Sequence, residues 1–387
     1  MSDRSPCHVI LENAVQHYHW GTHDGIATFL GRPDLIGDRP VAEYWIGAHP
    51  QLPSKVAQTA QPLPEFLQQY ELYDGQLPYL VKLLSVASPL SIQVHPSKSQ
   101  AEAGFQREQN AGIDITDRRR NYKDANHKPE TLLALTPFRA MVGFRKPEHI
   151  FEIIDTLPDR TIVDACYRCQ TSETETTLAA LFHFFLSLEQ RTITALVDQL
   201  ALVESTNPTL SLVRQLSQWY PGDAGVLMPI LLNPISLSPG ESFFVPAGIP
   251  HAYLEGDAVE VMACSDNVLR AGLTCKHIDL DELTTAVRFQ PFAPEIDRVV
   301  SGRGRHRIPV PVDDYQCEVL TINEQVQSLE PTTQSELMLV LEGTVTLSNA
   351  PLDTGISALL MPSTVARTLS GNGRCLRVYQ NAEEGQV

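Results

Sequence analysis

The chain has 387 residues, 43% of them hydrophobic and 19% charged, which excludes a disordered protein and describes a globular one whose core needs no cross-links. Its 29 Lys+Arg against 46 Asp+Glu give a formal net charge of -17. That balance speaks against nucleic acid or an anionic membrane as principal partner, because both demand a basic face. No apolar run reaches the roughly 18 residues of a spanning helix, and the first residues lack a signal-peptide pattern, so the expected location is the cytoplasm. The cysteines Cys7, Cys166, Cys169, Cys264, Cys275, Cys317 and Cys375 are scattered and odd in number, as free thiols are in a reducing compartment. Cys166-Tyr-Arg-Cys169 is a lone CxxC without a second pair, a weak metal or redox signal.

Short apolar runs between turn signals predict strands at residues 79–84 and 90–94. A short helix is expected over 101–110, then a polar loop in which Arg118, Arg119 and Arg120 read as a solvated face. Another strand is predicted at 131–135. Leu178, Leu181, Phe182, Phe185 and Leu188 recur at helical spacing, followed by Ile193, Leu196, Val197, Leu200 and Val203 and then by Leu212, Leu216 and Trp219. Residues ~172–220 therefore read as a helical insertion, closed by the turn Pro221-Gly222-Asp223. Strands resume after Gly225, among them residues 242–245, a Pro/Gly-rich linker is expected over 292–308, and residues ~309–383 read as all-β, including 337–341.

Four segments carry chemistry. On a strand, Ser91, Gln93 and His95 share one face while Ile92 and Val94 face the core. Inward polar side chains are costly unless they are paired or coordinate something. In Tyr122-Lys-Asp-Ala-Asn-His-Lys-Pro-Glu130, Pro129 biases Lys128 toward extended backbone, so Lys128 and Glu130 share a face if the strand begins there. The spacing G-x5-P-x-G-x2-H in Gly240–His251 matches the second half-motif of cupins, double-sheet jelly rolls in which this His faces a metal. Gln93, His95, Glu130 and His251 together offer nitrogen and oxygen donors suited to zinc, with one formal negative charge and room for an open position. Beyond His251, an Asp266-Asn267 turn leads to Arg270-Ala-Gly272, placing a cation near the chain that bears His251. Arginine suits planar or anionic oxygen groups, although a surface ion pair explains it equally well on residue type alone.

Two of these segments resemble the long motifs of type I mannose-6-phosphate isomerases: residues 122–130 resemble Y-x-D-x-N-H-K-P-E, and residues 251–276 resemble H-A-Y-x-x-G-x-x-x-E-x-M-A-x-S-D-N-x-x-R-A-G-x-T-P-K. Residues 91–96, Gln16–Gly21 and Glu43–Gly47 are similar to further parts of the family, over most of residues 8–290. The resemblance implies a mainly β fold with a helical insertion. Its parts are a central cupin barrel (residues 1–150 and 223–298), the helical insertion (151–222) and a C-terminal cupin-like β domain (299–387). That last part has no His in its Met361-Pro362-Ser363 region and is expected to hold no metal. The resemblance further implies one zinc per chain on Gln93, His95, Glu130 and His251. It places Arg270 near the reacting carbons, surrounded by Lys82, His127, Lys128 and Asp266, with Ser91 and Lys276 toward a phosphate. The implied reaction interconverts mannose 6-phosphate and fructose 6-phosphate through a cis-enediolate, in a monomer whose partner is a sugar phosphate. Lys128, Lys82 and zinc-bound water all remain candidates for the base. Cys275 stands where the family has Pro, beside Lys276. An iron-dependent cupin oxygenase would use two His and one carboxylate without Gln93, and a non-catalytic sensor would have lost a ligand or Arg270.

Overall fold

Successive residues of Glu130–Ala134 face different cores: Leu132 and Ala134 pack in one, Leu133 in another. This period-two alternation sets the architecture. The computed structural model describes residues 6–202, 207–299 and 304–380. The fold is mainly β, built on two large antiparallel sheets. One runs in the order Asp297–Arg298, Glu241–Val245, Glu130–Ala134, His251–Ala263, Tyr79–Val86, Glu43–Ile46 and Ala14–Gln16. The other runs Gly304–Ile308, Gln316–Asn323, Arg367–Tyr379, Glu336–Leu347, Ser357–Leu360, His8–Glu12 and Lys55–Val56. Tyr44, Ile46, Val81, Leu83, Val259 and Val261 of the first sheet share a core with Val319, Leu337, Leu339, Leu376 and Val378 of the second.

The long strand His251–Ala263 serves two layers. Its later half pairs with Tyr79–Val86 and Glu130–Ala134, while His251 and its neighbours pair with Gln93 and with Phe138–Phe144. The change of layer follows a bulge between Tyr253 and Glu255. Gly256 sits at this corner with φ 116°, where a Cβ would lie 2.5 Å from the Pro137 carbonyl oxygen, so only glycine fits. Among the described residues the pairing path has free edges and closes no barrel, which corrects the barrel expected from the sequence: strand His251–Ala263 bends between two layers instead of completing a ring.

Helices Pro147–Ile154, Arg160–Arg168, Thr174–Leu186, Gln190–Leu202 and Pro208–Trp219 back the smaller layer. Their core takes in Ile92, Val94, Ala252, Leu254, Leu269 and Ala271, so the alternate residues Gln93, His95, His251, Tyr253 and Arg270 are turned the other way. The helices thus supply a dry backing to the strands that carry the site.

Some expectations give way. The strand His8–Glu12 pairs with Ser357–Leu360, so the sheet anticipated only beyond residue 299 begins with the N-terminal strand. The expected linker contains the strands Asp297–Arg298 and Gly304–Ile308. Part of that linker, residues 300–303, lies outside the described residues, as do residues 381–383 of the expected C-terminal strands. Arg120 is buried, not solvated: its guanidinium donates to the Tyr122 oxygen at 2.7 Å and lies 3.0 Å from the Glu108 carboxylate. Those bonds satisfy the charge and brace the loop leading to Glu130.

Candidate active site and metal centre

His95, Glu130 and His251 converge with one ligand atom from each within 4.8 Å of the others, all buried. The convergence follows from the layering. Glu130 lies opposite Met262 on the large sheet, while His251 lies opposite Gln93 on the smaller layer. The turn Pro246–Gly248 sets the approach of His251: Gly248 has φ +83°, and its N–H donates to the His95 carbonyl at 2.8 Å. Gln93 is also the cross-strand partner of Arg270, so one residue adjoins both His251 and the cation.

Each imidazole is oriented from behind. Nδ1 of His95 lies 2.6 Å from the Asn267 carbonyl, and Nδ1 of His251 lies 2.9 Å from the Ile249 carbonyl. A ring that donates through Nδ1–H points the lone pair of Nε2 forward, as metal-binding histidines do. Those Nε2 atoms meet opposite oxygens of Glu130, each at 3.1 Å. His95 Nε2 has no hydrogen-bond partner despite its burial. Its basicity is pushed down to about 4 by burial and then by Lys128, so the ring is neutral at pH 7. A neutral nitrogen lone pair facing a carboxylate oxygen is a repulsive contact that a cation between them converts into attraction. The residues present therefore fit a divalent metal.

Around this cluster the charges alternate. Lys128 Nζ lies 2.5 Å from Glu130 Oε1, as their shared face anticipates, and the Tyr253 hydroxyl donates to Oε2 at 3.0 Å. Burial would raise the Glu130 pKa, but Lys128 and His95 outweigh it and hold the carboxylate well below its usual range. For Lys128, burial is likewise outweighed, by Glu130 and Glu260, and its affinity for the proton rises. Glu260 stands opposite Lys82 in the sheet and is raised to about 7 by burial and by Glu130, against the pull of Lys128 and Lys82. Lys82 Nζ lies 3.4 Å from Glu43 and 4.3 Å from the centre of the Trp45 ring. The result is a buried row of acids and bases on the metal-facing side of the sheet.

The Arg270 guanidinium makes no hydrogen bond or ion pair among the described residues, and burial lowers its pKa. The pKa of Lys276 is lowered by partial burial and by Arg270, which places the two cations in one field. Ser91 is half-buried on the strand-like segment whose Ile92 pairs with Gly272. Asp266 is held by His49 at 3.3 Å and by Gln51 at 3.0 Å, and although burial would raise its pKa, His49 together with Lys82 and Lys128 lowers it. His127 turns away from the cluster, with Nε2 2.8 Å from Asp314. Sequence reasoning assigned no role to Tyr253, Glu260 or Asn267. Tyr253 was within reach, since it follows His251 by two residues on a strand and so shares its face. Asn267 knots the site: its Oδ1 accepts from the Lys123 N–H at 2.7 Å, and its Nδ2 donates to the Asp124 and Asn126 carbonyls, both at 2.8 Å.

Comparison with known proteins agrees with this geometry. The family model described as phosphomannose isomerase type I, catalytic domain, matches residues 9–147. The mannose-6-phosphate isomerase of Escherichia coli (strain K12) is 36% identical over 389 residues, covering 95% of this chain and 98% of that protein. The human mannose-6-phosphate isomerase is 31% identical over 392 residues, covering 89% of this chain and 90% of its own. Among solved structures, a zinc-bound mannose 6-phosphate isomerase superposes with a TM-score of 0.87 at 34% identity, covering 97% of this chain and all of the other. The apo form from Salmonella typhimurium gives 0.87 and 34%, covering 98% of this chain. A mainly β isomerase fold with a buried His/Glu/His cluster is the class thus defined. The chain belongs to the type I phosphomannose isomerase family, and it is an enzyme acting as a mannose-6-phosphate isomerase. Among the described residues, no helix is long and apolar enough to cross a membrane.

Proposed function

We propose that the chain interconverts mannose 6-phosphate and fructose 6-phosphate through a cis-enediolate, with one zinc held by Gln93, His95, Glu130 and His251. The observation that carries the reading is the buried His95 Nε2, without a hydrogen-bond partner and facing Glu130, in a site that also contains the unpaired Arg270. A bound zinc supplies Lewis acidity toward the negative charge that develops as the proton leaves the carbon beside the carbonyl. Arg270, which makes no hydrogen bond or ion pair among the described residues, is free to add positive charge in the same place. While Lys128 shares the Glu130 carboxylate it keeps its proton. Proton transfer between C2 and C1 then falls to Lys82, to Lys128 once released, or to Glu260, whose pKa of about 7 is matched to neutral pH. Lys276 and Ser91 face the phosphate, Arg270 lending its field. Asp266, fixed by His49 and Gln51, adds its charge beside Lys82 and Lys128, whereas His127, turned toward Asp314, is left out of the chemistry.

The bent two-layer sheet with the Gly240–His251 spacing supports a cupin-like reading of the central part, residues 1–150 and 223–298, apart from the strands His8–Glu12 and Lys55–Val56 that join the second sheet. Residues 151–222 are then the helical insertion and 299–387 a second cupin-like unit without ligands. One chain supplies every residue named, which suits a monomeric enzyme. Its free cysteines suit the cytoplasm.

Glu130→Ala is expected to lose zinc and isomerase activity while the far-ultraviolet circular dichroism is kept; normal turnover of mannose 6-phosphate by that variant would refute the metal assignment. Arg270→Ala is expected to lower kcat with zinc still bound, and an unchanged kcat would remove Arg270 from the chemistry.

A further inference from the structure

We propose that Asp314 and Tyr315, in the loop preceding strand Gln316–Asn323 of the second sheet, are positioning residues for the metal site, fixing the segment that presents Lys128 and Glu130. The inference rests on the zinc reading above and adds to it a task for C-terminal strands that contribute none of the clustered ligands.

The segment is already held at its ends, where Asn267 donates to the Asn126 carbonyl and the Ala263 N–H to the Pro129 carbonyl, and the loop adds contacts to its far side. Residues 126–129 belong to no strand, and the ladder begins only at Glu130. Extended backbone alternates its faces: Lys128 and Glu130 look into the site, while His127, Pro129 and Thr131 look the other way. All three residues on the far side are met by this one loop. Asp314 Oδ2 lies 2.8 Å from His127 Nε2. The Tyr315 hydroxyl lies 3.0 Å from Thr131 Oγ1 and donates to the Pro129 carbonyl at 3.4 Å. Tyr315 is fully buried, and the loop is itself braced, because Gln316 Nε2 donates to the carbonyls of Val310, Val312 and Tyr315.

Physical chemistry explains why these contacts matter more than the apolar ones around them. The core between the two sheets is mostly aliphatic, with Tyr44, Phe66, Tyr79 and Tyr315 among its buried residues, and apolar packing fixes volume better than register. Hydrogen bonds to a buried hydroxyl are directional, and leaving that hydroxyl unpaired costs free energy, so they set where the segment sits along its own axis. Metal ligands and acid–base groups must be held to about 0.5 Å to function. Contacts on the odd-numbered residues thus transmit position directly to the even-numbered ones.

Asp314→Asn and Tyr315→Phe keep side-chain volume and remove only the charge or the hydroxyl. For full-length enzyme, zinc affinity is measured by competition with a chelator, and kcat and KM are measured with mannose 6-phosphate. Each variant is expected to bind zinc about ten-fold more weakly and to lose kcat with little change in KM, the size seen when groups that orient metal ligands are removed. Val345→Ala, in the core on the other face of the second sheet, is the control: it is expected to lower Tm and leave zinc affinity and kcat intact. Wild-type zinc affinity and kcat in both loop variants, or equal losses in Val345→Ala, would overturn the proposal. A wild-type chain that bound no zinc would sink the metal reading along with it, whereas zinc-loaded wild type with unaffected loop variants sinks this proposal alone.

Discussion

Tyr253→Phe isolates one buried hydrogen bond beside the metal. The hydroxyl donates to Glu130 Oε2 at 3.0 Å, and the residue is 4% exposed. Its ring packs edge-on against Phe138, with centroids 5.6 Å apart, a contact that phenylalanine keeps. What is lost is one neutral donor to a carboxylate, about 1.5–3 kcal/mol for a hydrogen bond to a charged group. Bonding at Oε2 leaves the lone pairs of Oε1 toward His95 and Lys128, so the hydroxyl fixes which way the carboxylate is turned. At roughly 1.4 kcal/mol per factor of ten, zinc affinity should fall about ten- to hundred-fold, with the overall fold unchanged. Chelator competition reads the affinity, and circular dichroism checks the fold. Zinc affinity within about two-fold of wild type would show that the Tyr253 bond does no orienting, and the picture of Glu130 steered from behind would be wrong.

Two further outcomes follow from local physics. His95 is pushed down to about 4, so between the ordinary value of 6.5 and about 4 the unfolded chain binds a proton that the native state does not. Stability of the metal-free protein therefore falls as pH drops through that window. Chelator-treated wild type should lose more Tm between pH 7 and 5 than His95→Gln does, and equal slopes would refute a neutral buried ring. Gly104 lies inside helix Lys98–Asn110, where a Cβ would stand 2.3 Å from the Tyr122 ring. Gly104→Ala should destabilise by about 1–3 kcal/mol in urea melts, although alanine is the better helix former by about 1 kcal/mol; a more stable variant would show that the ring yields freely.

Local patterns made much of this molecule legible. Alternation placed Ile92 and Val94 in the core and turned Gln93 and His95 the other way, and helical spacing marked Thr174–Leu186, Gln190–Leu202 and Pro208–Trp219. Motifs and the family resemblance singled out His95, Glu130 and His251, which the fold brings together. What stayed hidden depends on contacts between distant parts of the chain. Nothing within His8–Glu12 says which sheet edge it will join. Arg120 reads as solvated until Glu108 and the Tyr122 carbonyl are seen around it. The Asn267 carbonyl that orients His95 is a backbone atom, to which residue type gives no clue. Lys128 on Glu130 was foreseeable as a shared face, but not as the short ion pair that keeps the lysine charged.

A single catalytic zinc held by Gln93, His95, Glu130 and His251 is tested most directly by titration. Chelator-stripped enzyme, supplied with increasing zinc while fructose 6-phosphate formation from mannose 6-phosphate is followed, should regain activity in proportion to added metal and level off at one zinc per chain. Full activity in the stripped protein, or full recovery of a His95→Ala variant at the same stoichiometry, would contradict the account.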